Sequence, residues 1–275
     1  MWELSAFADE IDDGFDKQCN VLDRLGIRNI ELRSAWSVNV LDLSDDQVRE
    51  VKRILRRHGI AVSSIGSPIG KIRIDEDFLP HLRRHAVALK RAAELEAPYI
   101  RLFSFFIPDG QDPDSWRDEV LSRMSALAAR ADGHDVVLLH ENEKQIYGDL
   151  PRRCLDIVES VGSPVLKLAW DAANFVQCGV RPFTDGYAVL RPHLEYMQIK
   201  DAVLATGEVV PAGQGDGETV ETLRALRADG FDGYFSLEPH LSSTGVFGGF
   251  SGEDLFGKAH EAFTSLLRTE RIEYR

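Results

Sequence analysis

Glu141, Asp171, Gln198 and Glu238 stand at the ends of four successive short apolar segments, in the contexts LLHENE (138–143), WDAANF (170–175), MQIKD (197–201) and SLEPH (236–240). Three carboxylates and an amide gathered on neighbouring strands would repel one another unless a cation stood between them, and a hard divalent ion answers that repulsion. The other segment ends add Glu10, Glu31, the SPIGK turn with Lys71, and Arg101 with Phe103 and Phe105, which makes a crowded polar mouth. Strand parity sorts these groups. Tyr196, Gln198 and Lys200 share one face, as do Ser236, Glu238 and His240, so Lys200 points at the mouth as a donor to substrate oxygens or as counter-ion to Asp171. His140 has the opposite parity from Glu141 and is expected in the helix-facing core, held by a hydrogen bond.

The elements that must position this set alternate. Strand candidates are 3–9, 29–34, 61–67, 99–105, 135–141, 166–171, 195–201 and 234–239, separated by stretches of helical period at 15–26, 45–59, 78–96, 114–132, 149–162, 183–193 and 221–230, with a last helix at about 253–268. Gly26, Gly59 and Gly162 follow helical patterns as left-handed C-caps, and Ser44 and Asp114 read as N-caps. Strand ends recur roughly every 30 residues, the length of one βα unit. Eight such units predict an α/β fold, a single (β/α)8 TIM barrel over residues 1–275, with its site at the C-terminal ends of the strands. A doubly wound sheet would also alternate, but no GxGxxG follows the first strand and there is no P-loop.

Composition sets the outer bounds. The 275 residues carry 32 Lys+Arg against 45 Asp+Glu, a formal charge of −13, and the pI is near 5.1. That balance excludes a nucleic-acid surface, because phosphate affinity needs clustered basic residues. The basic spots RRH (56–58) and LRRH (82–85) read as solvated helix faces, and His58, His81, His85, His134, His193 and His260 as surface residues. Apolar runs such as VVLLH (136–140) are far shorter than the roughly 18 residues of a membrane span. Cys19, Cys154 and Cys178 are odd in number and never paired as CxxC, and the N-terminus lacks a secretory h-region, so a cytoplasmic protein with reduced thiols is expected.

The four motifs, with the loop VVPAGQGDGE (209–218), resemble the sugar phosphate isomerase/epimerase family of xylose isomerase-like barrels, which includes D-tagatose 3-epimerase-type and inosose-processing enzymes. The resemblance implies a metal held by Glu141, Asp171, Gln198 and Glu238, with Glu141 and Glu238 also serving as catalytic acid and base. Gln198 stands where the family usually has histidine, and Asn174 where a second histidine often follows the aspartate. An all-oxygen set shifts preference from Zn²⁺ towards Mn²⁺ or Mg²⁺. Lys200, His240, Asn174, Phe103 and Lys71 are the candidate substrate-binding residues. Glu10 and Glu31 are expected as buried partners of Arg33 and Arg101. The implied reaction isomerises or epimerises a ketose, keto-inositol or related polyol through an enediolate; dehydration of a 3-keto sugar by the same groups is the alternative. The GQGDG loop could cradle a phosphate, although Asp216 and Glu218 beside it favour an unphosphorylated sugar, and GVFGGFSGED (245–254) is a lid or a connector. The expected partner is a small-molecule sugar, with no nucleic acid and no membrane; a homo-oligomer is left open.

Overall fold

The computed structural model describes residues 1–242 and 249–275. Strands β1 (Glu3–Ala6), β2 (Asn29–Leu32), β3 (Ala61–Ile65), β4 (Tyr99–Leu102), β5 (Val137–Glu141), β6 (Leu166–Asp171), β7 (Leu194–Ile199) and β8 (Tyr234–Leu237) form one parallel sheet in the order β1-β8-β7-β6-β5-β4-β3-β2. This is the expected TIM barrel, closed except at one seam. Between β1 and β2, Asn29 Nδ2 reaches across to Leu4 O at 3.0 Å. The free edge of β1 is taken by the C-terminus, with Leu4 N–H donating to Arg275 O at 2.8 Å and Arg275 N–H to Trp2 O at 2.9 Å.

Around the sheet lie α1 (Phe15–Leu25), α2 (Asp45–His58), α3 (Phe78–Leu95), α4 (Arg117–Ala131), α5 (Pro151–Val161), α6 (Ala172–Gln177), α7 (Thr219–Ala228) and α8 (Gly252–Thr269). Ser44 caps α2 in a reciprocal box with Gln47, and Gly26, Gly59 and Gly162 end their helices at φ of 77°, 63° and 60°. Asp114 is not a cap. Asp112, two residues earlier, caps a 3₁₀ turn that opens at Pro113, accepting from Asp114 N–H at 3.0 Å, and the Asp114 carboxylate pairs with Arg152 and Arg153. The helix expected at 183–193 is instead a π turn (Pro182–Tyr187), a short α turn and a 3₁₀ turn. Gly186 packs so closely on Pro151 that an added Cβ would lie 3.0 Å from its ring, and Pro192 lacks the N–H a regular helix needs.

The barrel interior grows more polar from bottom to top. Tyr99, Tyr196 and Tyr234 plug the lower end with ring centroids 5.7–6.1 Å apart, beside Leu139 and Ala169. Above them Ser63 Oγ bridges Ser5 Oγ (2.6 Å) and Tyr196 OH (2.9 Å). Gln198 Nε2 then donates to Glu31 at 3.2 Å, and the charged floor of the mouth follows. The opposite strand faces, including Leu4, Ile30, Ile100, Leu138, Leu168, Met197 and Phe235, are buried against the helices. His140 lies on that side as expected, its Nε2 2.9 Å from Ser104 Oγ, and burial pushes its pKa down to about 3. His81 and His85 are not surface residues. Four apart on α3, they share its inward face, where His81 Nε2 accepts from Gly70 N–H at 2.6 Å and burial lowers both pKa values to about 4.

Candidate functional site

A cavity of about 300 Å³ opens at the C-terminal ends of the strands, walled by Arg33, Lys71, Arg101, Glu141, Glu143, Lys144, Val209, Glu238, His240, Ser242 and Gly249. A larger cleft of about 530 Å³, near Ala92, Ala97 and Gly133, lies at the other end of the barrel, away from the carboxylates of the mouth. Oxygens of Glu141, Asp171 and Glu238 lie within 4.8 Å of one another, as do ligand atoms of Glu10, Glu238 and His240. Gln198 neighbours Asp171 across the β6–β7 ladder, and its amide oxygen is buried with no hydrogen-bond partner. Three clustered carboxylates and an orphaned amide oxygen suit a hard divalent ion.

The local chain explains how these groups are held. The β6 strand ends at Asp171, whose Oδ1 caps α6 by accepting from Asn174 N–H at 2.9 Å. Asn142 ties β5 to β6 with two reciprocal bonds to the Asp171 backbone, at 2.8 and 2.9 Å. Asn174 Nδ2 donates to Glu141 Oε1 at 3.3 Å and to Asn142 O at 2.9 Å, so this side chain steadies Glu141 and does not reach the cavity wall. Lys200 contacts Asp171 Oδ2 and lies 2.6 Å from Glu238 Oε2.

Two arginines complete the floor. Arg101 Nη1 is 3.1 Å from Glu141 and 3.7 Å from Glu238; Arg33 reaches Asp9 at 2.7 Å and Glu238 at 3.1 Å. The expected pairing with Glu10 and Glu31 is present but long-range: Arg33 Nη2 is 4.0 Å from Glu10, Arg101 favours the charged form of Glu31, and Glu31 accepts hydrogen bonds from Gln198. Phe7 and Phe103 are platforms for these cations. Both guanidiniums lie 4.8 Å from the Phe7 ring centroid, and Phe103, fully buried, carries Arg101 at 4.9 Å and Lys71 at 4.2 Å. Residues Arg33, Asn142, Glu143 and Lys144 were not singled out as site residues. The parity of Arg33 with Glu31, two residues earlier, was the available signal.

Electrostatically the two glutamates differ. Burial pushes Glu141 up to about 8, with Arg101 opposing, and Asp171 up to about 6, with Lys200 opposing. Burial also disfavours charge on Glu238, but Lys200, His240, Arg33 and Arg101 outweigh it and hold that carboxyl well below the usual range. Lys200 is itself raised well above the ordinary lysine value: burial works against its charge, and Asp171 and Glu238 overcome it.

At the rim, Glu143 lies 3.5 Å from both Lys71 and Lys144. Gly70 holds the turn before Lys71 at φ 89°, where a Cβ would fall 2.0 Å from Phe103 O. His240 adopts φ 49°, with Nε2 3.2 Å from Glu10 and 3.5 Å from Glu238. Glu10 accepts from His240 N–H at 2.8 Å and Ser251 Oγ at 2.9 Å, fastening both sides of the loop between β8 and α8. The glycine-rich segment read as lid or connector lies in part outside the described residues, at 245–248. The GQGDG loop does not present its amides to a ligand: the Asp201 carboxylate accepts from Gly213, Gly215 and Gly217 N–H at 2.8–3.1 Å. A Cβ on Gly215 would sit 2.4 Å from Ala202 O, so the nest closes tightly around that side chain.

Barrel and carboxylate mouth together define an α/β enzyme-like scaffold with its polar groups at one end. The sequence model of the xylose isomerase-like TIM barrel family matches residues 19–266, and the chain belongs to that family. Among solved structures it is similar to a D-tagatose 3-epimerase-like protein, at 15% identity and TM-score 0.80 over 98% of each chain. It is also similar to a xylose isomerase-like TIM barrel protein from Mycobacterium smegmatis in complex with magnesium, at 20% identity and TM-score 0.71 over 97% of each chain. A third is the probable 3-DHS dehydratase AsbF from Bacillus anthracis, at 18% identity and TM-score 0.75 over 96% of this chain and 98% of that one. No curated protein matches the sequence.

Proposed function

We propose that the protein is a divalent-metal-dependent isomerase or epimerase acting on a ketose, keto-inositol or related polyol, with residues 1–275 forming one catalytic barrel. The observation that carries this reading is the convergence of Glu141, Asp171 and Glu238 oxygens within 4.8 Å, with both glutamates on the cavity wall. Glu141, Asp171, Gln198 and Glu238 would hold the ion, which when bound supplies Lewis-acid polarisation of a carbonyl oxygen; an all-oxygen set suits Mn²⁺ or Mg²⁺ better than Zn²⁺.

The chain's own groups handle the proton. One glutamate accepts it from the carbon beside the carbonyl, and the other returns one to the opposite face or to the next carbon. Arg101 and Asn174 fix the two oxygens of Glu141, and Arg33 fixes Oε1 of Glu238, so these oxygens need not reorganise as charge moves. Lys71 and His240 line the cavity and are the proposed contacts for substrate hydroxyls. Phe103 and Asn174 act through the groups they support. Dehydration is the second reading, favoured by the likeness to a probable dehydratase and by the Arg33, Arg101 and Lys71 lining, which would receive an anionic keto-polyol.

A ketose and keto-polyol panel incubated with protein and Mn²⁺ in D₂O tests both readings by mass. Epimerisation or isomerisation leaves product with one solvent deuterium, and elimination leaves product lighter by water. Recovery of every member unchanged and unlabelled would overturn the proposal.

A further inference from the structure

Asp171 and Glu238 each have two carboxylate oxygens, and on each one is already committed. Asp171 Oδ1 accepts from Asn174 N–H at 2.9 Å, and Glu238 Oε1 from Arg33 Nη1 at 3.1 Å. The remaining pair, Asp171 Oδ2 and Glu238 Oε2, is held by one group, the ammonium of Lys200. The Lys200 side chain is 2% exposed, and these two carboxylates are its ion-pair partners. A buried charge is costly unless paired, so the lysine is bound to this spot as firmly as the carboxylates are bound to it. Asp171 Oδ2 and Glu238 Oε2 converge on one point, which the ammonium fills, and a divalent ion bound at that point takes its place.

We propose that Lys200 is a tethered cation that exchanges with the divalent ion at the Asp171–Glu238 pair, so that metal enters only as the ammonium leaves and the affinity of the centre is set by that exchange. The inference rests on the metal-dependent reading above. It gives the lysine two tasks. Without metal it neutralises two buried carboxylates and keeps them at ligand spacing. With metal, the released ammonium moves towards the cavity beside Glu141 and Glu238, where it faces the oxygens of a bound polyol. The neutral amide of Gln198, in place of a stronger imidazole ligand, makes the balance between the two cations closer still.

Calorimetric titration of Mn²⁺ into chelator-stripped full-length protein tests this, comparing wild type with Lys200→Met and Asp171→Asn. Lys200→Met should bind one Mn²⁺ at least tenfold more tightly than wild type, and Asp171→Asn more weakly. Melting curves give a second readout: Lys200→Met should be less stable than wild type in EDTA and gain more from Mn²⁺. If wild type binds Mn²⁺ and Lys200→Met binds it no more tightly, the exchange is wrong while the metal-dependent reading stands. If neither binds at millimolar Mn²⁺, both fall. A Lys200→Met protein that fails to fold even with Mn²⁺ present would also overturn the exchange, since the ion would not be replacing the lysine.

Discussion

Replacing Arg101 by Met separates charge from packing at the floor of the mouth. Methionine keeps an apolar stem between Phe7 and Phe103 but removes the guanidinium that lies 3.1 Å from Glu141 and 3.7 Å from Glu238. Glu238 retains Lys200 and Arg33; Glu141 is left with the Asn174 amide at 3.3 Å. Breaking a buried pair costs about 3–5 kcal/mol, and the partners left to Glu238 place this case near the lower figure. For 275 residues the unfolding entropy is about 0.6 kcal/mol/K, so a loss of about 3 kcal/mol lowers Tm by about 5 °C. The loss depends on pH. Burial holds Glu141 up at about 8 even with Arg101 opposing, so without the arginine it keeps its proton to higher pH; at pH 6 the carboxyl is largely neutral in both proteins and little is lost through it, and the loss grows as pH rises through about 8. Differential scanning calorimetry in EDTA at both pH values measures this. A drop of equal size at pH 6 and pH 9 would show that Arg101 acts through packing, and no drop at pH 9 would refute the electrostatic role.

Glu141→Gln and Glu238→Gln should each lower turnover by roughly two to four orders of magnitude while still binding substrate, checked by steady-state kinetics with metal content measured on the same samples. Gln198→His should move metal preference towards Zn²⁺, read by competition between Zn²⁺ and Mn²⁺. In EDTA the wild type should lose stability as pH rises from about 7 to about 8, above the range in which His81, His85 and His140, held neutral by burial at about 4, 4 and 3, act in the opposite sense. Burial holds Glu10, Glu31 and Glu141 at about 8, 7 and 8 in the fold, above the usual 4.5, so the stability they support below that value is lost as each ionises. Melting temperatures that rise over that interval would contradict it.

The barrel was legible because its signals are local and periodic. Seven of the eight strands fall within the apolar segments read from sequence and β7 begins one residue before its segment, while caps such as Ser44 and Gly26 depend on neighbours three or four residues away. Strand parity also placed Gln198, Lys200 and Glu238 on the interior and His140 outside. What escaped depends on contacts distant along the chain. Arg33 finds Glu238 across 205 residues, and Asp201 fills a glycine nest that sequence offered to a phosphate. His81 and His85 read as solvated because Arg83 and Arg84 stand between them, yet the helix turns both inward. Asn174 is a substrate contact by motif and a brace for Glu141 by geometry, a distinction that spacing alone does not carry.

Anomalous diffraction from crystals of the full chain soaked in Mn²⁺ tests the metal centre most directly. One Mn²⁺ peak should lie at ligand distance from oxygens of Glu141, Asp171, Gln198 and Glu238, at the floor of the cavity and with the Lys200 ammonium displaced from Asp171. A Mn²⁺ peak elsewhere, or none while Lys200 still bridges Asp171 and Glu238 at millimolar Mn²⁺, would contradict the assignment.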